Sequence, residues 1–152
     1  MKRILESSRW NVVLPAVTLV AALALACAAV AFADEWPTLR SGMWEYKRTM
    51  VRSDQPGKPI VVTRRKCGNP AADMKRQNAQ LTAAGCRFSP VGKAGNVYTF
   101  TAQCSTAGIQ VQSRSTLTVE NPGAYRLFVE SHEGGVTSKE TLIARRVGDC
   151  AK

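Results

Sequence analysis

The sequence predicts a mainly β fold: an antiparallel, strongly curved sheet or partial barrel of about seven strands, with one short helix. Three observations lead there. Runs of alternating apolar and polar residues recur along the chain, and a period of two marks a strand with one buried face. Clusters of Gly, Pro, Asn and Asp separate these runs at short intervals, as turns between neighbouring antiparallel strands require. One stretch breaks the alternation, Asn69-Pro70 followed by AADMKRQNAQLTAAG, and it reads as the helix.

The elements follow in order. Met43 to Val51 places Trp44, Tyr46 and Met50 on one face of a first strand. The stretch from Asp54 to Pro59 is a turn, and Ile60 to Cys67 returns as the second strand. Asn69 then supplies a helix cap, Pro70 suits the first helical position, and Gly85 stops the helix. Met74 and Leu81, seven apart, share the face that lies on the sheet. Residues 86–91 and 96–104 flank Gly92, Gly95 and Asn96 and read as a hairpin. From Ile109 the alternation is long: Ile109, Val111, Leu117 and Val119 face one way, and Gln110, Gln112, Arg114, Thr116, Thr118 and Glu120 the other. Asn121-Pro122-Gly123 turns into a strand from Tyr125 to Ser131, and Glu133-Gly134-Gly135 turns into Val136 to Arg146. Sequence neighbours are expected to pair in space, with the polar face of the long strand in water.

The first 33 residues stand apart from this pattern. Lys2, Arg3 and Arg9 form a basic start, no charge occurs from Val12 to Ala33, and Ala31-Phe32-Ala33 is a small-residue cleavage site. This is the order of a secretory signal peptide, so cleavage is expected after Ala33 and the working chain in the periplasm. The uncharged stretch is long enough to span a bilayer, but Pro15 and its alanine-rich second half argue against retention as an anchor. Cys27 lacks the leucine that a lipidation site carries three residues earlier, where Ala24 stands. It reads as a small residue lost with the signal.

Removing 33 residues from 152 leaves 119, the size of one domain. The domain holds 18 basic and 10 acidic side chains, so its net charge is +8 and the basicity belongs to the working protein. Only 33 of its residues are Val, Ile, Leu, Met, Phe, Trp, Tyr or Cys, a thin core that makes covalent staples valuable. Four cysteines remain, Cys67, Cys86, Cys104 and Cys150, and an even number in a small exported chain reads as two disulfides. Three pairings are possible, and spacing favours one. A hairpin symmetric about Gly95 opposes positions summing to 190, which sets Cys86 against Cys104 within bonding range. Cys67 is left for Cys150, tying the C-terminus to the end of the second strand. No C-x-x-C pair supports a zinc site.

No catalytic constellation emerges. His132 is the single histidine and precedes a Gly-Gly turn. It shares a strand face with Glu130, too small a set for a metal, and reads as a solvated turn residue. There is no G-x-S-x-G elbow, no Gly-rich phosphate loop and no evident acid–base pair, so neither enzyme activity nor a cofactor is expected. Two basic clusters, Arg64-Arg65-Lys66 and Arg145-Arg146, each precede a cysteine. Bonded cysteines would bring both clusters to one end of the sheet, where they could attract an anionic envelope component. The plainer reading is a charged strand that keeps its edge soluble. Trp36, Trp44 and Tyr46 suggest an aromatic pocket, although Trp44 and Tyr46 in a strand suit a core better. The expected function is therefore non-catalytic binding of a small apolar or amphiphilic, lipid-like ligand on the concave sheet. The alternative is docking on an envelope component through the basic end. Nucleic acid is no partner, because export removes the chain from it.

Four features, in order, resemble an exported bacterial family catalogued as domain of unknown function 3617. They are Gly42-Met43-Trp44-Glu45 opening the first strand, Cys67 ending the second, the central Cys86 and Cys104, and Arg146-Val147-Gly148-Asp149-Cys150 closing the chain. After Cys67, Gly68-Asn69-Pro70 replaces the family's more usual aliphatic–hydroxyl pair. The resemblance implies a periplasmic location and a β-rich fold, and it brings no activity or catalytic residues.

Overall fold

Alternation from Gly42 to Arg52 builds the first strand, β1, and sets Trp44 and Tyr46 on its inner face. The computed structural model describes residues 36–106 and 108–151. The expected signal peptide, residues 1–33 with cleavage after Ala33 and with Cys27, lies outside the described residues. Among the described residues the chain forms eight strands and one helix. After β1 come β2 (Ile60–Gly68), the helix α1 (Pro70–Ala83), β3 (Arg87–Phe88), β4 (Gly92–Ala94), β5 (Val97–Thr106), β6 (Ile109–Asn121), β7 (Ala124–Glu133) and β8 (Val136–Gly148).

All strands join one antiparallel, open sheet in the order β2-β1-β8-β7-β6-β5-β3, with β4 also paired to β5. Tight turns link β5 through β8 to their neighbours, and Gly134 and Gly135 take the positive φ that the β7–β8 turn needs. The pairing of β1 with β8 is different in kind, because it joins the first strand to the last, from Met43 opposite Gly148 to Arg52 opposite Ser138.

The expected third strand is split in two. Pro90 has no N–H to donate to a ladder, and the chain bulges at residues 89–91 between β3 and β4. Ser89 compensates, with its N–H donating to the Thr101 carbonyl and its hydroxyl accepting from the Thr101 N–H, both at 3.0 Å. The hairpin turns at Gly95-Asn96, with Ala94 opposite Val97, rather than symmetrically about Gly95. Beyond the bulge the register has moved by one residue, so that Arg87 opposes Gln103 and Phe88 opposes Ala102.

The core occupies one end of the concave face. Leu39, Trp44, Tyr98, Leu117, Tyr125 and Ala144 are buried together, with Tyr46, Ala71, Met74, Leu127 and Leu142 packed against them. Trp44 and Leu117 are wholly buried. A buried tryptophan removes roughly 150–250 Å² from water, and its indole N–H is satisfied by the Arg40 carbonyl at 3.0 Å. The start of α1 is fastened to this core. Asn69 accepts from the Ala72 N–H at 3.1 Å as the N-cap, its amide donates to the Leu39 carbonyl at 3.2 Å, and Pro70 is buried.

Burial pushes the Tyr46 phenol up from 10.0 to about 12, with the Asp73 carboxylate adding to the effect. Burial moves Tyr125 in the same direction, helped by Tyr46 and Asp73. A raised folded-state value favours the protonated form on folding, so this stability is complete below pH 10 and is lost as pH rises through about 12. Denaturant midpoints should fall across that window, and Tyr46→Phe should flatten the fall. A wild-type midpoint constant from pH 10 to 12 would contradict the burial of these phenols.

Candidate functional site

Beyond the fastened start of α1, the helix and the sheet part. Between them lies a half-open cavity of about 450 Å³ whose helical wall includes Met74 and Leu81 and whose floor includes Leu127 and Leu142. A second space of about 670 Å³ lies toward the bulge, with Lys75 and Thr82 on one side and Pro90 and Val91 on the other. Trp36, Asn78, Phe88 and Phe100 line both, so the two share a wall. The Trp36 and Phe100 rings meet at a tilt, 5.8 Å between centroids. The volumes fall within the range of small-molecule pockets.

The pleat explains why the floor changes character. On the inner face of β6, Val119 and Leu117 give way to Ser115 and Ser113, while the opposed positions on β7 run Tyr125, Leu127, Val129 and Ser131. The inner face of β8 runs from Ala144 through Leu142 to Glu140. Apolar side chains therefore line the end nearest the core, and hydroxyls and charges the other. Arg48, on the inner face of β1, ion-pairs with Glu140, and both line the smaller cavity. Ser115 is 5% exposed and lines the same space.

The structure bonds Cys67 to Cys150, with Cα atoms 5.6 Å apart, and Cys86 to Cys104, at 4.1 Å. Met43 on β1 lies opposite both Cys67 and Gly148, so the segment after β8 crosses the start of β1 to reach β2. Gly42 permits this approach. Its φ is +151°, and a Cβ there would sit 2.6 Å from the Gly148 carbonyl oxygen.

A family model described as protein of unknown function (DUF3617) matches residues 39–150, from buried Leu39 to stapled Cys150. The chain belongs to the DUF3617 family. No curated protein and no solved structure matches it.

In this DUF3617 domain the two basic clusters flank β1, but they do not form a continuous patch. Glu45 stands in the cross-strand row between Arg65 and Arg145 and ion-pairs with Arg65 at 2.7 Å. Lys66 points to the opposite face and pairs with Asp73 at 2.6 Å. Arg146 donates to the Ser41 carbonyl at 2.8 Å and pairs with Asp149. Arg64 and Arg145 are exposed and make no ion pair among the described residues. Of the three singled-out aromatics, Trp44 and Tyr46 belong to the core, and Trp36 lines the cavities. His132 is exposed, its Nδ1 3.1 Å from the Thr137 hydroxyl and its Nε2 3.4 Å from Glu130. Among the described residues no group of three or more His, Cys, Asp or Glu is placed to hold a metal.

The sequence reading passed over Arg48, Ser113, Ser115 and Glu140. A signal for the serines was present: they fall in phase with Val111 and Leu117 and interrupt an otherwise apolar face.

Two outcomes follow. Peptide mapping of the unreduced protein should recover Cys67–Cys150 and Cys86–Cys104, and replacing Cys67 and Cys150 together by serine should cost about 2–5 kcal/mol in denaturant unfolding. Any other linkage would discard the crossing over β1. His132→Ala should leave the unfolding midpoint unchanged, and a lowered midpoint would give the imidazole a role that its exposed position denies it.

Proposed function

We propose that the protein is an exported, periplasmic binding protein without catalytic activity, which holds a small apolar or amphiphilic ligand between α1 and the concave sheet. One observation carries the reading: helix and sheet are pinned at one end by Asn69, Pro70 and Trp44, yet leave about 450 Å³ open beside the half-buried Leu127 and Leu142. A fold that needed this helix only for its core would close it down on these side chains, because apolar surface left uncovered forfeits stabilisation of roughly 25 cal/mol per Å². Leu81 on the helix remains 37% exposed although it points toward the sheet.

The signal-like first 33 residues support export, and the cysteine pairs suit an oxidising compartment. The non-catalytic character rests on the side chains at hand: among the described residues the cavity offers one ion pair and serines, without a histidine or cysteine thiol to act as base or nucleophile. Docking through the basic end has less in its favour, since Glu45, Asp73 and Asp149 neutralise Arg65, Lys66 and Arg146.

Native mass spectrometry of the protein drawn from its own periplasm, before and after organic extraction, tests the reading. The expected result is a mass excess over residues 34–152 that extraction removes. A bare mass in both states would overturn the binding role and favour docking on an envelope component instead.

A further inference from the structure

The sheet has two edges, and they are built differently. At one, β3 is two residues long and β4 three, with the Pro90 bulge between them. Short strands and bulges are the usual means of blunting an edge. At the other, β2 runs nine residues in unbroken register with β1, from Ile60 opposite Met50 to Gly68 opposite Gly42. Neither proline nor bulge interrupts it, and eight of its nine residues are exposed. Alternate N–H and C=O groups of an edge strand point away from its neighbour. Among the described residues those of β2 have no partner. The Cys67–Cys150 bond fixes one end of this strand.

Charge protects only half of the edge. Ile60, Val61 and Val62 are 47%, 53% and 36% exposed, and because side chains alternate, both faces beside the edge are apolar there. Val51 of β1, also exposed, shares the face of Val61. The other half is basic. Lys47 stands beside Thr63 in the ladder, and Arg145 lies in the row of Arg65. Around β2 the cations Lys47, Lys58, Arg64, Arg65, Lys66 and Arg145 face only the carboxylates of Glu45 and Asp73, a surplus of four positive charges.

We propose that β2 is a docking edge for an extended acidic segment of a partner protein, which joins the sheet as a further antiparallel strand. No described residue of β2 lines either cavity, so the site stands apart from the ligand reading above. Main-chain hydrogen bonds supply the hold, and side chains choose the partner. Apolar residues of the incoming strand lie beside Ile60, Val61 and Val62, and its carboxylates beside Arg64, Arg65 and Lys66. A surplus of four charges on an exposed surface holds little by itself. On top of a ladder it decides which strand is accepted and in which direction. A second copy fits worse, because pairing β2 with β2 brings two positive surpluses together.

Three capped peptides test the proposal against the oxidised protein, followed through the backbone amide resonances of residues 60–68. The first reads Glu-Glu-Glu-Thr-Val-Val-Val, which in antiparallel order sets glutamates beside Lys66, Arg65 and Arg64 and valines beside Val62, Val61 and Ile60. The second has lysine for each glutamate, and the third repeats the first with N-methyl groups on the threonine and valines. The first should shift the β2 amides, protect alternate ones from hydrogen exchange, and bind at least roughly tenfold tighter than the second, the scale of a like-charge penalty. The third, stripped of its donors, should not bind. Arg64→Glu, at an exposed side chain without an ion pair among the described residues, should weaken the first peptide by about tenfold and leave the unfolding midpoint unchanged. Equal binding of the first two peptides, or Arg64→Glu binding like the wild type, would overturn the acidic partner. Undiminished binding of the N-methylated peptide, shifts confined to α1 and the cavity floor, or no shift at all would overturn the docking edge. Sedimentation of the protein alone as a dimer with the same amides protected would assign the edge to a second copy and overturn the proposal.

Discussion

The structure depends on the pairing of β1 with β8. Every other link in the sheet joins strands close in sequence, and a chain of hairpins from β5 to β8 can form from local turns. β1 must find a partner almost a whole domain away, with Trp44 opposite Arg146 and Tyr46 opposite Ala144. Such non-local pairing is the slow and entropically demanding part of a β fold. It also completes the core, since Trp44 packs on Tyr125 with ring centroids 5.7 Å apart and Leu39 arrives on the same strand's leading segment. The Cys67–Cys150 bond holds the result. By constraining a loop of 83 residues it removes about 4–5 kcal/mol of unfolded-state entropy in the chain-entropy account. That is a large share of the marginal stability expected of a small domain.

From this fastened end the concave face changes step by step. Aromatic and aliphatic side chains pack solidly under the start of α1, where Asn69 is bonded to Leu39 and capped onto Ala72. Farther along the same strands, Leu117 gives way to Ser115 and Ser113, Leu142 to Glu140, and the helix no longer meets the sheet. Rigidity and space are therefore divided along the length of one helix. The arrangement suits ligand holding, because a preformed cavity walled by ordered elements loses little conformational entropy when it is filled.

Much of this was legible in the sequence because a strand's period of two is a strong signal. Trp44 and Tyr46, the long run from Ile109 and the turns at Pro122-Gly123 and Gly134-Gly135 all follow from it. The helix was legible from Asn69-Pro70 at its start and Gly85 at its end. The hairpin before β5 was less so. Symmetry about Gly95 ignores that Pro90 cannot join a ladder, and the real chain turns between Gly95 and Asn96 and takes up the one-residue difference in register at residues 89–91. The cavity was legible only as a general prospect of a curved sheet. Its polar end depends on Arg48 of β1 reaching Glu140 of β8, residues 92 apart, and no local pattern announces a meeting at that distance. Alternation alone divides the basic clusters between two faces, whereas their acidic partners Glu45, Asp73 and Asp149 come from different parts of the chain and no local pattern announces them.

The bond near the C-terminus also governs how the molecule would bear a pull. Tension applied between Trp36 and Ala151 runs through β1 and β2 to Cys67, crosses the sulfur–sulfur link to Cys150, and leaves. Residues 68–149 lie on a covalently bypassed branch, which feels the load only through the β1–β8 ladder. That branch contains α1 and strands β3 to β8, and of the residues lining the smaller cavity only Trp36 and Arg48 lie on the loaded path. A strain that peeled β1 away would therefore open one rim of the cavity, while the helix and the serine-bearing strands kept their covalent ring.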